Sequence, residues 1–153
     1  MVQQGFDVWS SNIRVSKYSK THIPPMESQV DFYNNSFEDY GLKDLPAMYK
    51  KVLSFYPNPN QKIIYMAHSQ GTSMGFAALL DKSTQDFFVK HTEHYFAFSP
   101  IVFMTESILR YVTWPIGAVE VFTKQFNVFW WGDTCCNGNH CGGSIKSIIH
   151  YGQ

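Results

Sequence analysis

The chain has 153 residues, of which 44% are hydrophobic and 17% aromatic, and its 12 basic side chains balance its 12 acidic ones. A net charge of zero offers no basic footprint for a phosphate backbone, so nucleic-acid binding is not expected. The long apolar segments are interrupted by Thr, Ser, Lys or Pro, so no membrane-spanning helix is expected. The opening residues Met1-Val2-Gln3-Gln4 show none of the features of an export signal.

The first two predicted elements are a strand and a helix. Phe6–Ser10 is the first candidate strand. Ser36 is placed as a helix N-cap with the acidic Asp39 in the capping-box position, and an apolar series with helical spacing follows. Pro46 falls early in this series, so we expect a kink or two shorter helices that pack on the sheet. Residues 56–60, rich in Pro and Asn, predict the loop before the next strand.

The most informative motif directly follows Lys62–Ala67, an apolar run of strand length. Its sequence is Ala67-His68-Ser69-Gln70-Gly71, close to the G-x-S-x-G pattern of a nucleophile elbow. A serine that attacks an ester must lie on a strained turn with its hydroxyl exposed, and small flanking residues permit that turn. Gly71 fits the pattern, whereas Ala67 replaces a glycine and adds one methyl group.

The segment after the motif supports this interpretation. Gly71–Leu80 is small and apolar along one face, which predicts a helix packed on the sheet. The pattern therefore predicts Ser69 as the nucleophile and the backbone N–H of Gln70 as an oxyanion donor. The alternative, from the residues alone, is a short motif that only begins a helix.

Beyond the motif, a third candidate strand, Tyr95–Ser99, ends at Pro100. The apolar series that follows is looser and predicts a change of architecture. Three cysteines and a histidine cluster late in the chain, with a spacing that matches no strong zinc pattern. These residues are Cys135, Cys136, Cys141 and His140. Neither a metal nor a cofactor is expected.

Several short motifs of this chain occur in the same order in one group of proteins. They are Gly5-Phe6-Asp7-Val8-Trp9 with Asn12 and Arg14, Asp44-Leu45-Pro46-Ala47, His68-Ser69-Gln70-Gly71-Thr72, Ser99-Pro100, and Gly143-Ser144-Ile145 through His150-Tyr151. In this arrangement the chain resembles the acid lipase family, the group of α/β-hydrolases that includes gastric and lysosomal acid lipases and steryl ester hydrolases. The resemblance implies a partial α/β-hydrolase fold, with a parallel sheet and flanking helices over residues 1–100. It implies a shortened, mostly helical lid over residues 101–153, with the C-terminal part of the core missing.

The resemblance also implies that some catalytic groups lie outside the chain. In the family, an oxyanion loop with a His-Gly pair precedes the strand matched by Gly5, and no His-Gly pair occurs here. The family's acid and histidine follow the segment matched by Ile145–Tyr151, where this sequence stops. One alternative keeps both groups inside the chain, with Asp133 as the acid and His140 or His150 as the base, in the correct order after the serine.

The function implied by the resemblance is hydrolysis of neutral lipid esters, either triacylglycerols or steryl esters, through an acyl-enzyme on Ser69. The substrate would be met at a lipid–water interface, and the 153-residue chain alone is expected to be inactive. A secreted or lysosomal location is implied for the full-length parent, and no protein partner is predicted. Two alternatives stay open: a non-catalytic lipid-binding or interaction remnant of a lipase, and an esterase or thioesterase of another α/β-hydrolase family.

Overall fold

The computed structural model describes residues 1–16, 18–19, 21–25 and 32–102. After a 3-10 turn at Val2–Gln4, the elements are α1 (Phe37–Asp39), a π-helical turn (Tyr40–Asp44), α2 (Leu45–Leu53), β1 (Ile63–His68), α3 (Gln70–Leu80), α4 (Lys82–His91) and β2 (Thr92–Phe98). The order strand, helix, helix, strand and the parallel pairing of the strands are those of an α/β fold. The predicted α/β class is confirmed.

Strands β1 and β2 lie side by side and run parallel. Their register pairs Tyr65 with Tyr95 and Ala67 with Ala97, after an irregularity next to Ile63. Parallel strands need a crossover connection, which α3 and α4 provide here. Both strands therefore end at the same edge of the sheet, immediately before Ser69 and Ser99.

The prediction of a strand at Phe6–Ser10 is wrong. These residues form no regular element, and Phe6 is 53% exposed. A strand requires a neighbouring strand for its backbone hydrogen bonds, and none of the described residues pairs with this segment. The segment is held instead by Trp9, whose ring lies 4.9 Å from that of Phe55 and whose Nε1 donates to the Tyr56 hydroxyl at 3.2 Å.

The predicted helix begins at its predicted N-cap. The backbone N–H of Ser36 donates to the Asp39 carboxylate at 3.0 Å, as a capping box requires. The predicted interruption near Pro46 is also confirmed, and it takes the form of the π-helical turn that separates α1 from α2. Pro46 lies in the first turn of α2, directly after the π-helical turn, and because it has no N–H it cannot donate back into that turn.

The helices form one layer on one face of the sheet, and the hydrophobic core lies among them. Its buried members are Val15, Tyr40, Leu45, Tyr49, Met74, Ala78 and Phe88. Helix α2 reaches the sheet through Tyr49, whose hydroxyl lies 3.0 Å from Thr92 Oγ1 and whose ring lies 6.2 Å from that of Tyr65. The prediction that this helix packs on the sheet is thus confirmed at Tyr49, while the rest of α2 packs against α3 and α4.

The other face of the sheet is open. Its large apolar side chains remain between 40% and 50% exposed, and they are Ile64, Met66, Phe96 and Phe98. Among the described residues, none of the helices combines the length and the hydropathy of a membrane-spanning segment.

An ion pair joins two of the sequence motifs to each other. Arg14 donates to Asp44 Oδ1 from Nε at 2.8 Å and from Nη2 at 2.6 Å, and its backbone N–H donates to Oδ2 at 3.0 Å. The hydrogen bond to Asp44 raises the pKa of Arg14. Three charge-assisted bonds to one carboxylate hold the backbone around Arg14 against the π-helical turn.

Asp44→Asn is therefore expected to lower the free energy of unfolding by about 1 to 3 kcal/mol, because Arg14 loses a charged acceptor. Glu93→Gln is the matched control, since Glu93 is paired to Lys62 only at 3.6 Å between two exposed side chains and exposed pairs contribute at most about 1 kcal/mol. Urea unfolding of both variants measures the difference. Equal effects of the two substitutions would contradict a structural role for the Arg14–Asp44 pair.

Candidate active site

Ser69 occupies the turn between β1 and α3 with an unusual backbone conformation. Its φ is 53° and its ψ is −121°, a region that residues with a Cβ rarely adopt. The turn is held to the neighbouring strand because Ser69 N–H donates to the Phe98 carbonyl at 3.1 Å. The predicted order of strand, strained serine and helix is therefore present around this residue.

The small residues on either side of Ser69 are required by the geometry of the turn. Ala67 is buried, and a Cβ added to Gly71 would lie 3.3 Å from the Ala67 Cβ. Two side chains larger than these could not share this space without moving the strand from the helix. Ala67 in place of the glycine of the motif is tolerated because Gly71 leaves the opposite position empty.

Thr72 connects the turn to the loop after β2. Its backbone N–H and its hydroxyl both donate to the Ser69 carbonyl, at 2.9 Å and 2.5 Å. The same hydroxyl accepts from Ile101 N–H at 3.1 Å, and Ser73 Oγ donates to the Ile101 carbonyl at 3.0 Å. The ends of both strands are thereby tied to the first turn of α3.

Two tyrosines from the sheet support the same turn of the helix. Tyr65 donates its hydroxyl proton to the Gly71 carbonyl at 2.9 Å, and Tyr95 donates to the Thr72 carbonyl at 2.6 Å. The Tyr95 ring fits because position 75 is glycine: a Cβ there would lie 2.6 Å from the ring carbon that bears the hydroxyl. Burial raises the pKa of Tyr65, and it raises the pKa of Tyr95 to about 12.

These shifts predict a loss of stability at alkaline pH. Burial also raises the pKa of Tyr49 to about 12, against about 10 for an unperturbed tyrosine. The folded protein holds the hydroxyl protons of these tyrosines more tightly than the unfolded chain does. The resulting contribution to the free energy of unfolding is complete below about pH 10 and falls as the pH rises toward 12. The urea midpoint is expected to decline across this window, and less steeply in Tyr49→Phe. An unchanged pH dependence in that variant would contradict the assignment.

Comparison with known protein families identifies one that matches this chain. A family profile described as the alpha/beta hydrolase fold matches residues 2–89, a range that contains β1, the Ser69 turn and α3. The chain belongs to the α/β-hydrolase fold family.

The individual relatives of this α/β-hydrolase include lipases of the acid lipase type. The chain is 34% identical over 122 residues to triacylglycerol lipase 1 of Arabidopsis thaliana, covering 80% of this chain and 28% of that protein. It is 30% identical over 124 residues to gastric triacylglycerol lipase of Mus musculus, with coverage of 81% and 29%. It is 32% identical over 102 residues to lysosomal acid lipase/cholesteryl ester hydrolase of Macaca fascicularis, with coverage of 67% and 24%. The predicted family is confirmed, and the chain spans less than a third of each of these relatives.

Both predicted site residues of this α/β-hydrolase lie at the strained turn. Ser69 and Gln70 are half-buried, and Gln70 is the first residue of α3. Within the described ranges, neither the Ser69 hydroxyl nor the Gln70 N–H makes a hydrogen bond to another residue. An N–H group at a helix start has no partner within the helix, and the helix dipole favours negative charge there.

Several other predicted features of the α/β-hydrolase lie outside the described residues. They are the lid segment from residue 103 onward, the alternative triad members Asp133, His140 and His150, and the cysteines Cys135, Cys136 and Cys141. Over the part of the chain that is described, no group of His, Cys, Asp and Glu side chains is arranged to hold a metal ion.

Three residues that support the turn were not predicted from the sequence. Thr72 is named by the motif only for its position, and Tyr65 and Tyr95 are indistinguishable from ordinary strand residues in the sequence. Their hydrogen bonds depend on how α3 crosses the two strands. The pairing of Tyr65 with Tyr95 in register is the feature that brings both hydroxyls to one helical turn.

Proposed function

We propose that this chain carries the nucleophile of a serine hydrolase that cleaves neutral lipid esters through an acyl-enzyme on Ser69. The observation that supports the proposal most directly is the strained turn at Ser69, with a φ of 53°, between strand β1 and the N-terminus of helix α3. A strained strand-to-helix turn is the feature that exposes the serine of a nucleophile elbow above the sheet. The similarity to named lipases supports the choice of ester hydrolysis.

In the proposed reaction, Ser69 Oγ attacks the carbonyl carbon of the ester, and the carbonyl electrons move onto its oxygen. The N–H of Gln70 donates to this oxyanion, and the positive end of the α3 dipole adds to the stabilisation. Collapse of the tetrahedral intermediate expels the alcohol, which receives the proton that the base took from Ser69, and water then releases the fatty acid from Ser69 by the same steps. The base that takes the Ser69 proton and the second oxyanion donor are supplied by residues beyond those described.

The proposed substrates are long-chain triacylglycerols or steryl esters at a lipid–water interface. The names of the relatives include both triacylglycerol lipases and a cholesteryl ester hydrolase, which supports the class of neutral lipid esters without choosing between them. A secreted or lysosomal location is proposed on the same similarity to gastric and lysosomal lipases.

The substrate proposal is tested with the longest natural product of the gene that contains these 153 residues, beside the 153-residue chain itself. Emulsified trioleoylglycerol, cholesteryl oleate and a short soluble ester are assayed with each, using Ser69→Ala as the blank. Turnover of either long-chain ester that disappears in Ser69→Ala supports the proposal. Activity restricted to the short ester would instead indicate an esterase, and lipid binding without turnover in the longer product would indicate a non-catalytic remnant.

A further inference from the structure

One peptide unit at the turn carries both a supported carbonyl and the proposed oxyanion donor. The Ser69 carbonyl and the Gln70 N–H belong to the same planar amide, so hydrogen bonds that fix the direction of the carbonyl also fix the direction of the N–H. The Ser69 carbonyl accepts two hydrogen bonds from a single residue, Thr72, at 2.9 Å from its N–H and 2.5 Å from its hydroxyl. The orientation of the proposed donor is therefore set by Thr72.

The direction of the Thr72 hydroxyl is also determined. A threonine hydroxyl has one proton to donate and lone pairs to accept with. Ile101 N–H lies 3.1 Å from this oxygen and can only donate, which leaves the hydroxyl proton for the Ser69 carbonyl. Thr72 is fully buried, with 0% of its surface exposed, so water does not compete for these bonds. The result is a directed chain from Ile101 N–H through the Thr72 hydroxyl to the Ser69–Gln70 peptide.

We infer that Thr72 is a positioning residue of the oxyanion site, which orients and polarises the Ser69–Gln70 peptide so that Gln70 N–H is a stronger and better aimed donor. Hydrogen bonds in a chain polarise one another, so a donor to the carbonyl side of an amide strengthens the N–H side. The inference rests on the proposed function of Ser69 and Gln70, and adds to it the residue that prepares the donor before substrate arrives.

The test compares Thr72→Val, Thr72→Ser and Thr84→Val in the longest product that contains this sequence. Thr84 is the matched control, because it is also a buried threonine whose hydroxyl donates to a helix carbonyl, that of Ala78 at 3.0 Å, in a bond that does not involve Ser69. Complete removal of an oxyanion donor lowers kcat by about 100- to 1000-fold, so loss of its support is expected to lower kcat about tenfold. The KM should stay within about twofold, since ground-state binding is not changed.

The expected pattern is a tenfold lower kcat in Thr72→Val, a kcat within about threefold of the parent in Thr72→Ser, and an unchanged kcat in Thr84→Val. Equal kcat values for Thr72→Val and Thr84→Val would overturn the inference while leaving the proposed function in place. So would an equal loss in Thr72→Ser, because that variant keeps the hydroxyl. Activity that survives in Ser69→Ala would overturn the proposed function itself, and the inference with it.

A second measurement does not depend on turnover. The Ile101 amide is protected from hydrogen exchange by the Thr72 hydroxyl, so its exchange is expected to accelerate at least about tenfold in Thr72→Val and to stay slow in Thr72→Ser. Site-resolved exchange by NMR measures this amide in each variant. Unchanged protection of Ile101 in Thr72→Val would overturn the hydrogen-bonded chain on which the inference depends.

Discussion

Ser69→Gly is expected to be more stable than Ser69→Ala by about 1 to 2 kcal/mol, while both variants lose at least about 10,000-fold in ester hydrolysis. Both substitutions remove the hydroxyl that we propose as the nucleophile. Only glycine also removes the Cβ that makes a φ of 53° with a ψ of −121° unfavourable. The entropy that glycine adds to the unfolded chain reduces the gain without reversing it. Urea unfolding and initial rates on one ester, both measured in the longest product that contains this sequence, give the two effects.

Ser54→Ala is the control for this pair, because Ser54 is an exposed serine at a helix end whose hydroxyl donates to the Lys51 carbonyl. It should retain the full rate and change stability by less than about 1 kcal/mol. A Ser69→Gly protein that is less stable than Ser69→Ala would show that the turn is not strained. A Ser69→Ala protein with substantial activity would exclude Ser69 as the nucleophile.

Gly41→Ala is expected to lower the free energy of unfolding by about 2 to 4 kcal/mol. Gly41 lies in the π-helical turn, where a Cβ would approach the Met74 carbonyl oxygen to 2.6 Å and the Ala77 Cβ to 2.8 Å. The first of these atoms belongs to the backbone of α3 and cannot move aside by a side-chain rotation. The two helical segments would have to separate, which would weaken the support of the helix that begins beside Ser69.

Lys43→Ala is the control for Gly41→Ala in the same turn. Lys43 is exposed and makes an ion pair with Asp39 at 2.8 Å across one helical turn, so its removal should cost less than about 0.5 kcal/mol. Thermal or urea unfolding of the two variants gives the comparison. A Gly41→Ala protein as stable as Lys43→Ala would mean that the π-helical turn and α3 have room between them, contrary to the structure.

Features that depend on neighbouring residues in the sequence were predictable. The helix start at Ser36 follows from a capping interaction with Asp39 within one turn. The turn at Ser69 follows from small residues beside a strand-length apolar run, because this local pattern determines whether the backbone can bend there.

Features that depend on distant contacts were not predictable in the same way. The strand prediction at Phe6–Ser10 failed because strand formation needs a partner, and Trp9 instead contacts Phe55 far along the chain. Helix α4 was not predicted, although its N-cap Asp81 accepts from Ser83 N–H at 2.8 Å. Only two residues of α4, Thr84 and Phe88, are buried, and the helix is polar overall, so few apolar residues mark it in the sequence.

The candidate site also contains features of both kinds, those set by neighbouring residues and those set by distant contacts. Ser69 and Gln70 were named from the motif because the chemistry of the motif is local. The hydrogen bonds by which Thr72, Tyr65 and Tyr95 support the turn could not be predicted in this way. The bond from Tyr95 to the Thr72 carbonyl, for example, depends on the register of two parallel strands and on the empty space at Gly75.

Covalent labelling tests most directly whether Ser69 is the nucleophile. The longest product that contains this sequence and the 153-residue chain are each treated with a fluorophosphonate, and the modified residue is identified by mass spectrometry. We expect labelling of the longer protein at Ser69 and at no other serine, with no labelling in Ser69→Ala. Labelling at Ser69 in the 153-residue chain would further mean that the base lies within it, as the alternative with Asp133 and His140 or His150 requires. A longer protein that hydrolyses esters but is labelled at a different residue, or that loses no activity when Ser69 is replaced, would contradict the account.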